Sequence, residues 1–257
     1  MDVRETIAEI AGARVERVER IQSLWDGYGE IVRAWLPDRT VIAKNVRAPA
    51  GAHPRKKRSY EVELEFYRRW APRCDERCRV AKLVGHRGSV VVLEDLGSGR
   101  ADLETCVDWL AAFHLRFLGA EPVGLWKIGT YWHLGTRPDE LAAMRDRDLQ
   151  RRAPSLDHAL RAARFQTIVH GDAKPENFLG DAAVDRHRRS PSAIDFQYVG
   201  GGPGIVDVAY LLWRERDESR LLRAYLEKLP PDVAHEWGAL YDTAREDFRR
   251  FLDGWRR

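Results

Sequence analysis

Four polar side chains follow one short β-branched run in the sequence. His170, Asp172, Lys174 and Asn177 lie within eight positions in the stretch IVHGDAKPENFLG, and Asp195 follows 23 positions after Asp172, in IDFQ. Two carboxylates and an amide oxygen are hard oxygen ligands, which Mg²⁺ prefers, whereas Zn²⁺ prefers His and Cys. Mg²⁺ usually completes its shell with water and substrate phosphates. The set therefore predicts a magnesium site that binds a phosphorylated ligand.

Phosphoryl transfer needs three further groups, and the sequence offers a candidate for each. Asp172 is placed to act as the base that receives or orients the proton of an acceptor hydroxyl. Lys44, in RTVIAKNV, is the candidate cation for the donor phosphates, and Gly27 with Gly29 could form a turn whose backbone approaches phosphate closely. Singly, a Gly-Tyr-Gly is more often an ordinary hairpin turn and a strand lysine more often reaches solvent. Jointly with the loop motif, they predict a nucleotide-dependent phosphotransfer site.

The elements that must position Lys44 are predicted from periodicity. Apolar residues recur at helical intervals from Ile7 to Val18, and then two strands are predicted on either side of the Gly-Tyr-Gly turn. RTVIAKNV predicts a third strand, on which Lys44 shares a face with apolar neighbours. Residues 59–70 have helical spacing that turns Glu63 inward, where it could pair with Lys44 and offset the cost of desolvating the lysine. A further strand pair is predicted around a turn at residues 87–88.

Beyond Gly97 the sequence becomes mainly helical. We therefore predict an α+β arrangement with a small β-rich lobe at residues 1–96, which carries the nucleotide-binding candidates, and a larger helical lobe at 97–257, which carries the catalytic motif and would bind the acceptor, with the active site in the cleft. His114 lies in an apolar helical stripe and is expected to be an interior histidine. An aromatic group could wall an acceptor pocket, although core packing is the favoured interpretation. Its members are Trp126, Tyr131, Trp132 and His133.

Composition excludes several classes of protein. The chain has 43 Lys and Arg against 40 Asp and Glu, and a net charge of +3 gives no reason to expect nucleic acid or a membrane as a partner. Its apolar runs are too short to span a bilayer. Eight bases and one acid lie between Arg33 and Arg58, a run that ends in PRKKRS, and a solvated loop is favoured there over a phosphate-attracting role. Three cysteines favour a reducing cytoplasm, and Cys74 with Cys78 lacks the second ligand pair that a zinc site needs.

The motifs resemble a known family. HGDAKPENF followed by IDFQ is similar to the catalytic loop and metal-binding segment of the aminoglycoside phosphotransferase and choline kinase-like superfamily, within the protein-kinase-like fold. DGYGEIVRAWL, VIAKNV, SYEVELEFY, VVLEDLG and IDFQYVGGGPGIVDVAYLL are most similar to its ecdysteroid kinase-like branch. The likeness runs from about Gln22 to Leu212. It implies a small-molecule kinase that uses ATP and Mg²⁺ and transfers the terminal phosphate to a hydroxyl of a small-molecule acceptor.

The resemblance also implies roles in the catalytic segment. Asp172 would be the catalytic base, Asn177 and Asp195 the magnesium ligands, and Lys174 a cation that reaches the transferred phosphate. His170 would brace the catalytic loop. The segment VDVAY would supply an aspartate, at position 207, that accepts hydrogen bonds from that loop.

For the nucleotide, the resemblance implies a second set of residues. Lys44 and Glu63 would form the ion pair that holds the phosphates. The connection formed by Glu94, Asp95 and Leu96 would offer backbone groups to adenine.

Two other functions are considered alongside a small-molecule kinase. A protein kinase is disfavoured because Gly171 stands where regulated protein kinases carry an arginine, and because Asp207 follows Asp195 by only twelve positions with no Ala-Pro-Glu. A catalytically silent nucleotide-binding protein is disfavoured because every expected catalytic group is present. From residue 213 onward there are ten acids and ten bases, so nothing demands a polycationic acceptor and a neutral or modestly charged alcohol fits. The sequence does not predict an oligomeric state.

Overall fold

A computed structural model describes residues 2–24, 27–180 and 191–255, which form two compact units. The first unit spans Met1–Arg73 and Val80–Gly97, and the second spans Cys74–Arg79 and Ser98–Arg257. The first is built on a β-sheet and the second is mainly helical, so the predicted α+β class is confirmed. Within the described part of the chain, no helix is long and apolar enough to cross a membrane.

A five-stranded antiparallel sheet forms the first unit. Its strands are β1 (Arg17–Ser23), β2 (Gly29–Trp35), β3 (Thr40–Val46), β4 (Leu83–Arg87) and β5 (Val90–Glu94), in the spatial order β1-β2-β3-β5-β4. On β3, Val41 and Ala43 point into the core while Lys44 lies on the other face, as a period of two requires. Helix α1 (Val3–Ala11) packs on β4 and β5 and brings Ile7 into the same core.

Helix α1 is shorter than the apolar spacing predicts. It ends where Gly12 adopts φ +64°, a left-handed conformation that glycine adopts without strain and that commonly terminates helices. Val18, which the spacing assigned to the helix, lies on β1 instead, so that part of the prediction is wrong. The helical spacing of apolar residues continues past Gly12 only by coincidence, because the helix ends at that glycine.

Helix α2 (Pro54–Glu65) begins before the predicted start at residue 59, inside the basic run. The His53 side chain accepts a hydrogen bond from the backbone N–H of Arg55, and Pro54 occupies the first helical turn. The run Pro54 to Ser59 is therefore helical, and its interpretation as a loop is wrong. After Glu65 the helix continues as a five-residue π-helical turn, Phe66–Trp70.

Short strands in the second unit hold the catalytic segment. They are β6 (Gly99–Arg100), β7 (Thr167–Val169), β8 (Phe178–Gly180), β9 (Ser192–Ala193) and β10 (Gly200–Gly202). Strand β7 pairs with β10, and β8 lies between β6 and β9. The antiparallel pairing of β8 with β9 places the end of the HGDAKPEN motif beside the start of IDFQ.

Seven helices complete the described part of the second unit. They are α3 (Leu103–Arg116), α4 (Pro138–Ala142), α5 (Arg147–Arg161), α6 (Ile205–Leu211), α7 (Glu218–Leu226), α8 (Pro231–Ala239) and α9 (Tyr241–Trp255). Helix α9 packs against α4, α5 and α6, and α3 packs against α6, α7 and β7. The buried tryptophans Trp109, Trp132 and Trp237 lie in this unit, so the predicted packing role of Trp132 is confirmed.

Candidate active site

His170, the first residue after β7, braces the catalytic loop. Its ring is fully buried, and Nε2 donates to the carbonyl oxygen of Ile194 at 2.9 Å. Nδ1 accepts from the backbone N–H of Asp172 at 3.2 Å, so the ring is neutral with its proton on Nε2. Burial lowers the pKa of His170, although the nearby carboxylate of Asp207 opposes this shift. The ring thus ties the HGD segment to the strand that leads into Asp195.

Asp207, on α6, holds the loop from behind. Its carboxylate accepts hydrogen bonds from the backbone N–H of His170 at 2.6 Å and of Gly171 at 3.0 Å, as the family resemblance implied. Oδ2 also binds Nε2 of His114 at 3.1 Å, and Nδ1 of His114 binds the Tyr225 hydroxyl at 2.7 Å. His114 and Asp207 have no exposed surface. His114 is thus the predicted interior histidine, and its partners identify it as a support for the loop.

Gly171 is required by the geometry of the loop. It adopts φ +79°, and a Cβ atom there would overlap the carbonyl oxygen of Tyr198. Its own carbonyl oxygen accepts from the backbone N–H of Tyr131 at 2.9 Å. The sequence argument used Gly171 only to mark a missing arginine, whereas the structure shows that no side chain fits.

Asp172 combines burial with two partners on one oxygen. The residue is 8% exposed, and Oδ2 accepts from Lys174 Nζ and from Asn177 Nδ2, each at 3.2 Å. Asn177 Nδ2 also donates to the backbone oxygen of Asp172 at 2.8 Å. Burial raises the pKa of Asp172 to about 7, with a further rise from Asp195, while Lys174 and Asn177 oppose the shift. A carboxyl with a pKa near neutrality suits a general base.

The magnesium candidates Asn177 and Asp195 lie in the same cluster. The backbone N–H of Ile194 donates to the backbone oxygen of Asn177 at 3.0 Å, which fixes the two segments together. Burial lowers the pKa of Lys174, but the charges of Asp172 and Asp195 outweigh burial and raise it. Asp195 adopts φ +66°, an uncommon conformation for a non-glycine residue that often marks functional sites.

The side-chain oxygens at this site fit Mg²⁺ better than a metal ion that takes all of its ligands from the protein. The amide nitrogen of Asn177 is engaged by Asp172, so Oδ1 is the atom that Asn177 can offer a cation. Among the residues that the structure describes, no group of three or more His, Cys, Asp or Glu could hold a metal ion. Mg²⁺ needs only one or two side-chain oxygens, because water and phosphate oxygens supply the rest.

Two tyrosines flank Asp172: Tyr131, for which sequence reasoning favoured core packing over an acceptor wall, and Tyr210, to which it assigned no role. The rings of Tyr131 and Tyr210 are 5.7 Å apart, edge to face. Burial and the nearby charge of Asp172 raise the pKa of Tyr210, and burial raises the pKa of Tyr131 to about 12. Both hydroxyls therefore stay protonated. Helical spacing is the sequence signal that could have identified Tyr210, because this residue follows the loop-binding Asp207 by three positions and so lies on the same side of the helix.

In the first unit, Lys44 and Glu63 form the predicted ion pair. Nζ and Oε2 are 2.6 Å apart, and the two side chains are 10% and 8% exposed. Both residues line a cavity of about 220 Å³, together with Tyr60, whose ring centroid lies 5.4 Å from Nζ. The pairing offsets the desolvation of two buried charges and holds the lysine extended.

The two turn glycines behave differently from each other. Gly29 adopts φ +135°, and a Cβ atom there would overlap the backbone oxygen of Asn45 on β3. Close packing of β2 on β3 therefore already accounts for Gly29. Gly27 adopts φ +71° with open space around it, which leaves its backbone approachable. Trp25 and Asp26 lie outside the described residues.

The segment Glu94 to Leu96 is anchored through its side chains. Arg33 donates to both oxygens of Asp95, at 2.6 and 3.1 Å, and although burial opposes ionisation this contact helps hold the pKa of Asp95 below its ordinary value. The Glu94 carboxylate accepts from the backbone N–H of Lys82 at 3.2 Å. The predicted use of this segment by a nucleotide would therefore involve its backbone, and it stays a prediction.

Comparison with models of known protein families groups this chain with phosphotransferases. The family model described as "Phosphotransferase enzyme family" matches residues 53–241, which is most of the chain. No curated protein sequence matches.

Solved structures show the fold. A protein assigned as a fructosamine-3-kinase from Thermobifida fusca superposes with a TM-score of 0.60 at 19% identity, covering 96% of this chain and 99% of that one. The choline kinase LicA from Streptococcus pneumoniae gives a TM-score of 0.60 at 14% identity, covering 97% and 89%. The ternary complex of APH(2")-IIa with streptomycin and ATP gives 0.58 at 11% identity, covering 92% and 86%. These chains share the kinase-like fold described above.

Proposed function

This chain belongs to the phosphotransferase enzyme family, and we propose that it transfers the terminal phosphate of ATP, with Mg²⁺, to a hydroxyl group of a small molecule. The observation that carries the proposal is the cluster at the end of β7. There, a buried carboxylate with a pKa near 7 contacts a lysine and an amide, and a second carboxylate lies close by. The ATP complex of one structural neighbour supports the choice of nucleotide.

Each residue of the cluster has a proposed task. Asp172 orients the acceptor hydroxyl and accepts its proton, and the fixed loop keeps its carboxylate in place. Lys174 supplies positive charge beside the phosphoryl group as it moves. Asn177 and Asp195 hold Mg²⁺, which when bound would neutralise charge on the donor phosphates. His170 takes no proton, because it is buried, neutral and hydrogen-bonded at both ring nitrogens.

In the first unit, the proposed nucleotide groups are Lys44 with Glu63, the Gly27–Gly29 turn, and the backbone from Glu94 to Leu96. Lys44 would bind donor phosphate oxygens, and Glu63 would keep its ammonium in position, as their 2.6 Å contact supports. Asp95 would act indirectly, since its pairing with Arg33 stabilises the segment that carries the backbone groups.

The acceptor and the subfamily are finer proposals. The motifs resemble the ecdysteroid kinase-like branch, which would imply a largely apolar alcohol. A neutral or modestly charged alcohol is consistent with the balanced charge from residue 213 onward. The structural neighbours named above include a choline kinase and a complex with streptomycin, so related folds accept very different molecules.

An acceptor screen tests the proposal. Purified full-length protein is incubated with ATP, Mg²⁺ and a panel of sterols, sugars, amino alcohols and antibiotics, and ADP release is followed together with ³¹P NMR of the product. Asp172→Ala should lose turnover by at least about a thousandfold while retaining nucleotide binding. Asp232→Asn, at an exposed position on α8, is the matched control and should keep full activity.

Three results would contradict the proposal. Equal turnover in Asp172→Ala would exclude the carboxylate as the base. Incorporation of labelled phosphate into proteins but not small alcohols would indicate a protein kinase. ATP binding without turnover of any acceptor would indicate a catalytically silent nucleotide-binding protein.

A further inference from the structure

A second cavity lies in the second unit, apart from the catalytic cluster. It has a volume of about 440 Å³, within the range typical of sites for small ligands. Its walls come from β7, β10, α5, α6 and α9 and from the segment before α4. None of its lining residues belongs to the proposed catalytic or magnesium set. The cavity is therefore a separate feature that phosphoryl transfer does not explain.

Three residues that line the cavity have a polar atom without a hydrogen-bond partner among the described residues. Thr130 and Asp247 are each only 7% exposed. Asp247 uses Oδ1 to accept from Arg250 Nε at 2.8 Å, which leaves Oδ2. His133 binds Asp157 through Nε2 at 3.0 Å, which leaves Nδ1. The Thr130 hydroxyl makes no hydrogen bond to any described residue.

The unused atoms define the chemistry of a ligand. Asp247 Oδ2 accepts hydrogen bonds, whereas the Thr130 hydroxyl and His133 Nδ1 can each accept or donate, the latter according to the tautomer of the ring. A ligand with hydroxyl groups, which both donate and accept, can pair with all three atoms. The rest of the wall is largely apolar, and Pro122, Leu160 and Val206 contribute to it.

Both acids of the cavity wall are paired with arginines. The two acids Asp157 and Asp247 both lie next to basic groups, because Arg161 Nε is 2.7 Å from Asp157 and Arg250 Nε is 2.8 Å from Asp247. Lys127 also lines the cavity, at an exposed position. An anion would face both carboxylates, and a cation would compete with arginines already in place. A neutral molecule with several hydroxyl groups meets neither cost.

The cavity shares its walls with elements that hold the catalytic loop. Thr167 is on β7, three positions before His170, and Val206 precedes the loop-binding Asp207. Thr130 adopts φ +84°, an uncommon conformation for a β-branched residue, and its N–H donates to the carbonyl oxygen of Tyr198 at 3.2 Å. The next residue donates its N–H to Gly171. A ligand on Thr130 would therefore contact a strained residue adjacent to the loop.

We propose that this cavity binds an uncharged polyhydroxylated small molecule, a sugar or cyclitol, at a site distinct from the one that carries out phosphoryl transfer. The ligand packs an apolar face on the proline and aliphatic wall. Its hydroxyl groups donate to Asp247 and exchange hydrogen bonds with His133 and Thr130.

Binding is tested on the full chain without ATP, so the outcome is independent of catalysis. The probes are D-glucose, D-galactose and myo-inositol, with D-glucosamine and glucose 6-phosphate as charged comparisons. Saturation-transfer NMR and thermal melting report binding. At least one uncharged probe should bind and raise the Tm, and its charged analogue should bind about tenfold more weakly.

Three variants locate the site. Ile128→Trp fills the cavity from a partly exposed position and should abolish binding. Thr130→Val keeps the branched shape and removes the hydroxyl, so the Kd should rise about threefold to tenfold, whereas Thr130→Ser should bind nearly as the parent does. Asp172→Asn should bind the probe unchanged.

The opposite results overturn the proposal. It fails if none of the three uncharged probes binds, or if Ile128→Trp binds as well as the parent protein. It also fails if Asp172→Asn abolishes binding, which would assign the sugar to the catalytic site. If Ile128→Trp does not fold, the comparison of Thr130→Val with Thr130→Ser tests the proposal instead. Equal affinities of these two variants for the probe would exclude the hydroxyl contact and overturn the proposal.

Discussion

The buried carboxylate of Asp207 provides the sharpest test of how the catalytic loop is held. Two backbone N–H groups and one imidazole N–H donate to its two oxygens, and the residue has no exposed surface. Asp207→Asn changes one oxygen into an NH₂ group. That group cannot accept, so at least one loop N–H loses its acceptor and faces another donor.

The expected magnitude follows from these contacts. A hydrogen bond to a charged group contributes about 1.5–3 kcal/mol, and leaving a buried donor unsatisfied adds about 1–3 kcal/mol. We expect the free energy of unfolding to fall by about 3–5 kcal/mol, a large share of the 5–15 kcal/mol typical of a folded protein. Under the proposed function, kcat should fall more than KM rises, because the loop carries the base.

Urea unfolding followed by tryptophan fluorescence measures this loss. Asp232→Asn makes the same chemical change at an exposed position on α8 and should shift stability by no more than about 0.5 kcal/mol. A double-mutant cycle with His114→Phe should show coupling, since the two side chains are in direct contact. A loss below about 1 kcal/mol in Asp207→Asn would refute this account of the loop.

Three further predictions concern stability. Gly171→Ala should lower the free energy of unfolding by more than about 3 kcal/mol or prevent folding. Gly119 has φ +76° and open space around it, so Gly119→Ala should cost only about 1–2 kcal/mol. Similar melting temperatures of the two variants would contradict the steric argument. Burial lowers the pKa of His170 from its ordinary value of 6.5, so the unfolded chain binds a proton on this ring more readily than the folded chain does. The free energy of unfolding should therefore fall as the pH drops below about 6.5. An equally steep fall in His170→Asn would show that another group causes the effect. Glu63→Gln should destabilise by about 3–5 kcal/mol, because it removes the carboxylate charge that lies 2.6 Å from the mostly buried ammonium of Lys44. Glu61→Gln, at an exposed position, should leave stability nearly unchanged, and equal urea midpoints of the two variants would refute the pairing.

Local periodicity was enough to predict the elements that carry the candidate site. Strand alternation placed Lys44 on one face of β3, and helical spacing turned Glu63 inward, so their contact could be expected before either was located. The spacing of HGDAKPEN likewise placed Lys174 and Asn177 in one short loop with Asp172, and both side chains contact it. These predictions succeeded because each rests on neighbours within one strand, one helix or one loop.

Features that depend on distant segments were not predictable in the same way. The early start of α2 was hidden because a basic run suggests a loop, whereas His53 and Pro54 cap the helix. The need for glycine at position 171 depends on Tyr198, which approaches only in the folded chain. The second cavity could not be expected at all, since its walls come from segments between residues 120 and 247.

The π-helical turn at Phe66–Trp70 has a consequence for the history of this chain. Such a turn accommodates one more residue than an α-helical turn does, as a single-codon insertion in a straight helix would. Because it begins after Glu63, an insertion there leaves the acidic partner of Lys44 in phase and shifts only the residues that follow. Alignments anchored on Glu63 should therefore slip by one position before Trp70 when the other protein has an uninterrupted α-helix.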